Sequence, residues 1–124
     1  MLTPVETAQV LASNFPELTF SLRSTQGPHG RSGFYSQLDS FAVFTRRAID
    51  ECHPSLLRHC FAVADTLLQR ADAYLAAAIE TIYLQGLHLD DTPAGNELAR
   101  ALMPARLYRA YEHQRANILG LGAN

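Results

Sequence analysis

A chain of 124 residues with 48% hydrophobic content fits a single domain built on one ordinary core. Its net charge of −2 excludes a whole-molecule attraction to nucleic acid or to an anionic membrane. The charge is nonetheless segregated: residues 54–96 carry two Arg against five acids, and residues 97–124 carry four Arg against two.

Met1 to Val10 shows no basic stretch leading into an apolar one, so no signal peptide is read there. No apolar run approaches the roughly 20 residues that span a bilayer. Cys52 and Cys60 are the only thiols, and a reduced, cytoplasmic protein with no membrane segment is the expectation.

Thr3-Pro4-Val5-Glu6 reads as a capping box, with Thr3 as N-cap and Pro4 at the first helical position. A short helix should run to about Asn14, where Pro16 stops it. Phe15, Leu18, Phe20 and Leu22 alternate loosely, a weak strand signal. Residues 23–33 hold Gly27, Pro28, Gly30 and Gly33 and read as a loop. That loop divides an N-terminal arm (1–33) from a helical body (34–119) within one helical domain, 1–124.

In the body, Phe34 to about Cys52 carries Phe34, Leu38, Phe41, Thr45, Ala48, Ile49 and Cys52 on one face at about 100° per residue. Pro54 opens the next helix, to about Arg70, with Leu56, Leu57, Cys60, Phe61, Val63, Ala64, Leu67 and Leu68 filling one arc. A fourth helix spans about Asp72 to Leu87. Its main stripe is Leu75, Ile79, Ile82 and Tyr83, and Tyr74, Ala77 and Leu84 add apolar surface behind, as in a central helix. Thr92-Pro93 restarts a short helix, Pro104 breaks it, and a last helix runs to about Leu119, ended by Gly120 and Gly122. Short connections imply antiparallel neighbours. The fold expected is all-α, an up-and-down bundle of about five to six helices, with the third and fourth resembling a HEAT-type hairpin.

The polar residues form no catalytic constellation. Cys52-His53 and His59-Cys60 suggest zinc by composition, but adjacent helical residues point about 100° apart and do not turn toward one ion. No nucleophile signature appears. Asp50-Glu51 and Asp90-Asp91 read as solvated or helix-start acids. Gly27, Gly30 and Gly33 lack the preceding strand of a phosphate cradle, so no cofactor is implied. The reading is of a non-enzyme, with no catalytic residue and no metal site.

Two surfaces could bind. Arg106, Arg109 and His113 share one face of the last helix at i, i+3 and i+7, with Arg100 upstream, which suits an anion or an acidic partner. That face lacks the charge density and interleaved aromatics of a nucleic-acid surface. Val43, Tyr35, Tyr74 and Leu84 lie off the core stripes, and burial under the N-terminal arm is the expectation for them.

The runs Phe41-Ala42-Val43-Phe44-Thr45, Leu67-Leu68-Gln69-Arg70-Ala71-Asp72-Ala73-Tyr74, residues 78–87 and Leu102-Met103-Pro104-Ala105-Arg106 are similar to a largely uncharacterised family of small all-helical bacterial proteins. Its members resemble immunity proteins of polymorphic or contact-dependent toxin systems. Leu102-Met103-Pro104 stands where that family carries a Leu-Gly-Pro pattern, and Gln85 where it carries Glu. The resemblance covers residues 34–115 and implies a protein that neutralises a cognate toxin by binding it. The acids Asp65, Asp72, Glu80, Asp90 and Asp91 would then suit a basic toxin such as a nuclease. The alternative is a small regulatory or scaffold domain, homodimeric, with a small-molecule pocket lined by Phe41, Phe44, Phe61 and Tyr83.

Overall fold

A computed structural model describes residues 4–18, 33–89 and 92–119, and among them every regular element is helical. Helix α1 is Pro4–Asn14, followed by a 3₁₀ turn at Pro16–Leu18. Helix α2 is Gly33–Asp50 and α3 is Pro54–Arg70. Helix α4, residues 73–86, joins an α-helical Ala73–Ala78 to a π-helical Ile79–Leu84 and closes with one more α-helical pair. Helices α5, Pro93–Leu102, and α6, Ala105–Leu119, complete an all-α bundle. Thr3, most of the 23–33 loop with Arg23 and Arg31, Asp90, Asp91 and the terminal glycines lie outside the described residues.

Local chemistry sets most boundaries. Proline stands at the first turn of α3 and of α5, where its missing N–H would have had no helical partner. The Asp72 carboxylate accepts from the Leu75 N–H at 2.9 Å and starts α4. Thr92 Oγ1 accepts from the Gly95 N–H at 3.0 Å and starts α5. A methyl group at Gly95 would overlap the Leu89 carbonyl, so this start is packed backbone on backbone.

The central layer is a ring of four helices. α2 packs on α3 and on the π segment of α4, and α6 packs on those same two. α3 and α4 are therefore diagonal across the core, separated by α2 and α6. The HEAT-type pairing expected of them is not formed. Phe41, Phe61, Leu67, Leu75, Ile79, Tyr83 and Leu107 are at most 1% exposed and fill the middle. Phe41 stacks on Tyr83 with ring centroids 4.5 Å apart.

The π turn explains a shift in the α4 stripe. Its buried residues are Leu75, Ile79, Tyr83 and Leu84, while Ile82 is only half-buried. A π turn carries one extra residue, so the inward face arrives one position later than 3.6-residue periodicity expects. Leu84 thereby becomes core.

The N-terminal arm is also core. Leu11, Phe15 and Leu18 are at most 3% exposed, and Phe15 meets Phe41, Phe44 and the His59 ring at centroid distances of 5.5, 5.1 and 4.7 Å. Phe15 and Leu18 thus belong to a helix end and a 3₁₀ turn, not to a strand. Val43 and Tyr74 are 55% and 69% exposed, contrary to the burial expected for them, whereas Leu84 is buried and the Tyr35 side chain lies outside the described residues. No helix among the described residues is long and apolar enough to cross a membrane.

Candidate functional site

Pro104 interrupts the chain after α5, and the restarted α6 turns Leu107, Ala110, Tyr111 and Gln114 inward. That choice leaves Arg106, Arg109, Glu112 and His113 facing solvent. Because α6 fills the groove between α3 and α4, its bases come down on acids from both helices. Arg106 Nη1 lies 3.6 Å from Asp65 Oδ2 of α3, and His113 Nδ1 lies 2.7 Å from Glu80 Oε1 of α4. The acidic middle and basic tail of the sequence are therefore two sides of one seam.

The pairs are asymmetric. Their acids are mostly covered, with side chains 19% and 22% exposed, whereas Arg106 and His113 are 50% and 65% exposed. Exposed pairs of this kind contribute about 0–1 kcal/mol each. Asp65 Oδ1 is buried without a hydrogen-bond partner, so this carboxylate has one oxygen engaged and one idle. Arg109 stands between the two pairs on the outer face of α6 and is exposed. Arg100 joins from α5. Its guanidinium is held above its ordinary pKa first by a hydrogen bond to Tyr108 and then by the Tyr108, Glu97 and Glu112 charges.

Of the eight residues the sequence singled out, four are thus brought together as two cross-helix pairs, and Arg109 is placed between them. Asp72 is occupied as the cap of α4, and Asp90 and Asp91 lie outside the described residues. What reaches solvent along this strip is predominantly basic.

Beneath it lies a polar layer that charge counting could not reveal. The Tyr111 hydroxyl donates to Asn96 Oδ1 at 2.6 Å, and the Arg115 guanidinium sits 5.7 Å from the centre of the Tyr111 ring. Gln114 Nε2 and Arg115 Nε are buried with no hydrogen-bond partner.

The aromatic pocket expected between the second, third and fourth helices is filled. Phe41, Phe61 and Tyr83 are completely buried. Thr45 donates its one hydroxyl proton to the Phe41 carbonyl at 2.9 Å, so the Tyr83 hydroxyl is the donor in its 3.0 Å contact with Thr45 Oγ1. Burial, then the charge of Cys60, push the Tyr83 pKa well above 10.0.

A surface cleft does exist elsewhere, a volume of ≈ 400 Å³ at the C-terminal ends of α2 and α4, where α5 begins. Cys52 and His88 both line it, and both have left-handed backbones, with φ of 53° and 52°. Cys52 is exposed because α2 ends two residues earlier than its apolar spacing suggested. Cys60 is buried, and its neighbour His59 points instead to Asn14, Nε2 to Oδ1 at 3.2 Å. Among the described residues no group of three or more His, Cys, Asp or Glu could hold a metal ion.

No curated protein and no solved structure matches the chain. Residues 8–117, from α1 to the last turns of α6, match the family described as a domain of unknown function, DUF7674, and the chain belongs to that family.

Proposed function

We propose that this protein acts by binding another protein, in the manner of an immunity protein that neutralises a toxin by direct contact, and that it has no catalytic role of its own. The docking face is the outer strip of α6, Arg106, Arg109 and His113. The observation that carries this reading is the asymmetry of the two seam pairs: the acids are covered while their bases stand half or more exposed. A carboxylate on a partner can share Arg106 or His113 without uncovering buried surface, and Arg109 adds a second guanidinium. The partner is accordingly acidic where it docks, rather than the basic toxin that the acids alone would suit. Electrostatic complementarity of this kind speeds association and selects partners more than it deepens affinity.

The test is affinity capture from the native cells with wild-type protein and with Arg106→Glu/Arg109→Glu. A single captured protein that stops growth when expressed alone, is neutralised by the wild type and escapes the variant is the expected result. Capture unchanged by the double reversal would move the docking face away from α6. Capture of proteins harmless to growth would remove the immunity reading.

A second reading, a regulatory domain with a small-molecule site, is favoured by the ≈ 400 Å³ cleft. Native mass spectrometry of the purified protein, with a retained small molecule lost in Leu98→Trp, would support it. Unliganded protein alone would count against it.

A further inference from the structure

Among the described residues, the outward face of α2 carries no packed element. Asp39, Val43 and Arg47 follow one another four residues apart, so they line up along one stripe in the order acid, apolar, base. All three are exposed, and Val43, at 55%, is one of two exposed large hydrophobics among the described residues. Beside the stripe a cleft of ≈ 260 Å³ opens, walled by Val43, Phe44 and Arg47 of α2, Leu18 of the 3₁₀ turn and Leu56 of α3.

We propose that this face docks a second copy of the chain, with the two α2 helices antiparallel about a two-fold axis at Val43. An isologous contact needs a self-complementary patch, in which a residue before the axis meets the residue equally far beyond it. With Val43 on the axis, Asp39 of each copy faces Arg47 of the other, giving two equivalent ion pairs around one apolar contact. Ser40, small enough to let the helices approach, falls opposite Arg46. Parallel packing would set Asp39 against Asp39 and Arg47 against Arg47, so the charge order selects the antiparallel arrangement. A heterologous partner would have no need of a stripe that is its own complement. One helix on one helix is a small interface, so association belongs in the micromolar range. The reading does not depend on the α6 strip, which lies on another helix.

Sedimentation equilibrium of the full chain from about 1 to 500 µM tests it. The mass is expected to rise from the 13.7 kDa monomer to twice that value. Asp39→Arg and Arg47→Asp each oppose like charges twice, once on each side of the axis. Each should raise the dimer dissociation constant at least about tenfold. The combined variant reverses both pairs and should return the constant to within about threefold of wild type. Val43→Glu should leave only monomer, its circular dichroism melt unchanged because the site is exposed. A wild type monomeric throughout the range, a Val43→Glu dimer as strong as wild type, or failure of the combined variant to recover would each overturn the proposal.

Discussion

Cys52 ends α2 in a conformation that suits glycine. The Cys52 N–H donates to the Ile49 carbonyl at 3.1 Å and the His53 N–H to the Ala48 carbonyl at 2.9 Å, the bond pattern of a Schellman cap. Its left-handed position, φ 53°, brings the Cβ of an L-residue against the following carbonyl, at a cost of about 1–2 kcal/mol. Cys52→Gly should therefore stabilise the fold by about 1 kcal/mol, read from urea unfolding, the gain trimmed by glycine's freer unfolded chain. Equal or lower stability would mean that the cysteine side chain makes up for its backbone. Tyr83 makes a prediction of a different kind. Its pKa is raised in the folded state, so the unfolded chain gives up this proton first. Below about pH 10 both states hold it and the group leaves stability unchanged with pH. Above that value the unfolded state binds fewer protons, and stability falls by up to about 1.4 kcal/mol per pH unit until the folded pKa is reached. Tyr83→Phe should be less stable at neutral pH, by about 1 kcal/mol for the lost bond to Thr45, but should decline less steeply between pH 10 and 11. Parallel declines in the two proteins would assign the alkaline loss to other groups.

At the scale of elements, α4 carries the clearest departure from simple periodicity. Leu75, Ile79 and Tyr83 fit an α-helical stripe, but Leu84 joins Tyr83 in the core, in place of Ile82, because the turn after Ile79 holds one residue too many. Thr81 is exposed and its hydroxyl donates to the Ala77 carbonyl at 2.9 Å, so its side chain contributes nothing to the core. Its deletion would place Tyr83 and Leu84 at the third and fourth positions after Ile79, the inward positions of a regular α-helix. The deleted chain should keep its helical spectrum and a cooperative melt, with a loss of about 2 kcal/mol from the displaced end of α4. Deletion of the equally exposed Thr66, inside the regular α3, turns Leu67 away from the core and should abolish the cooperative melt. Both circular dichroism melts are needed, since loss of folding in both would show that the π turn is required by the packing of α2 rather than by the spacing of residues.

For the whole molecule, the sequence made plain what local rules decide. Pro54, Pro93 and Pro104 with Asp72 and Thr92 mark helix ends, and the α3 boundaries coincide with the expected ones because a proline starts that helix and its apolar arc is unbroken. What the sequence hid depends on which helices become neighbours. Adjacent α3 and α4 read as a hairpin, yet the ring places them diagonally, because α6 returns to fill the space between them. For the same reason Asp65 and Glu80 looked like a free acidic face, and Arg106 and His113 like a free basic one, until docking of α6 set them opposite each other. The left-handed ends at Cys52 and His88 carry no glycine to betray them. Everything proposed for the α6 strip then rests on what holds that helix down. Leu107 is fully buried, so Leu107→Ala should cost about 2–5 kcal/mol in urea unfolding. A double-mutant cycle between Arg106→Ala and Asp65→Ala should give a coupling below about 1 kcal/mol, since the arginine is half exposed. That order of magnitudes is what a docking face requires: α6 stays seated through its apolar side while Arg106 and His113 remain free to trade acids with a partner. A coupling above about 2 kcal/mol would reverse the conclusion. The pair would then be a structural clasp, its exchange would loosen the bundle, and of the two guanidinium groups on the strip only that of Arg109 would be available to a partner.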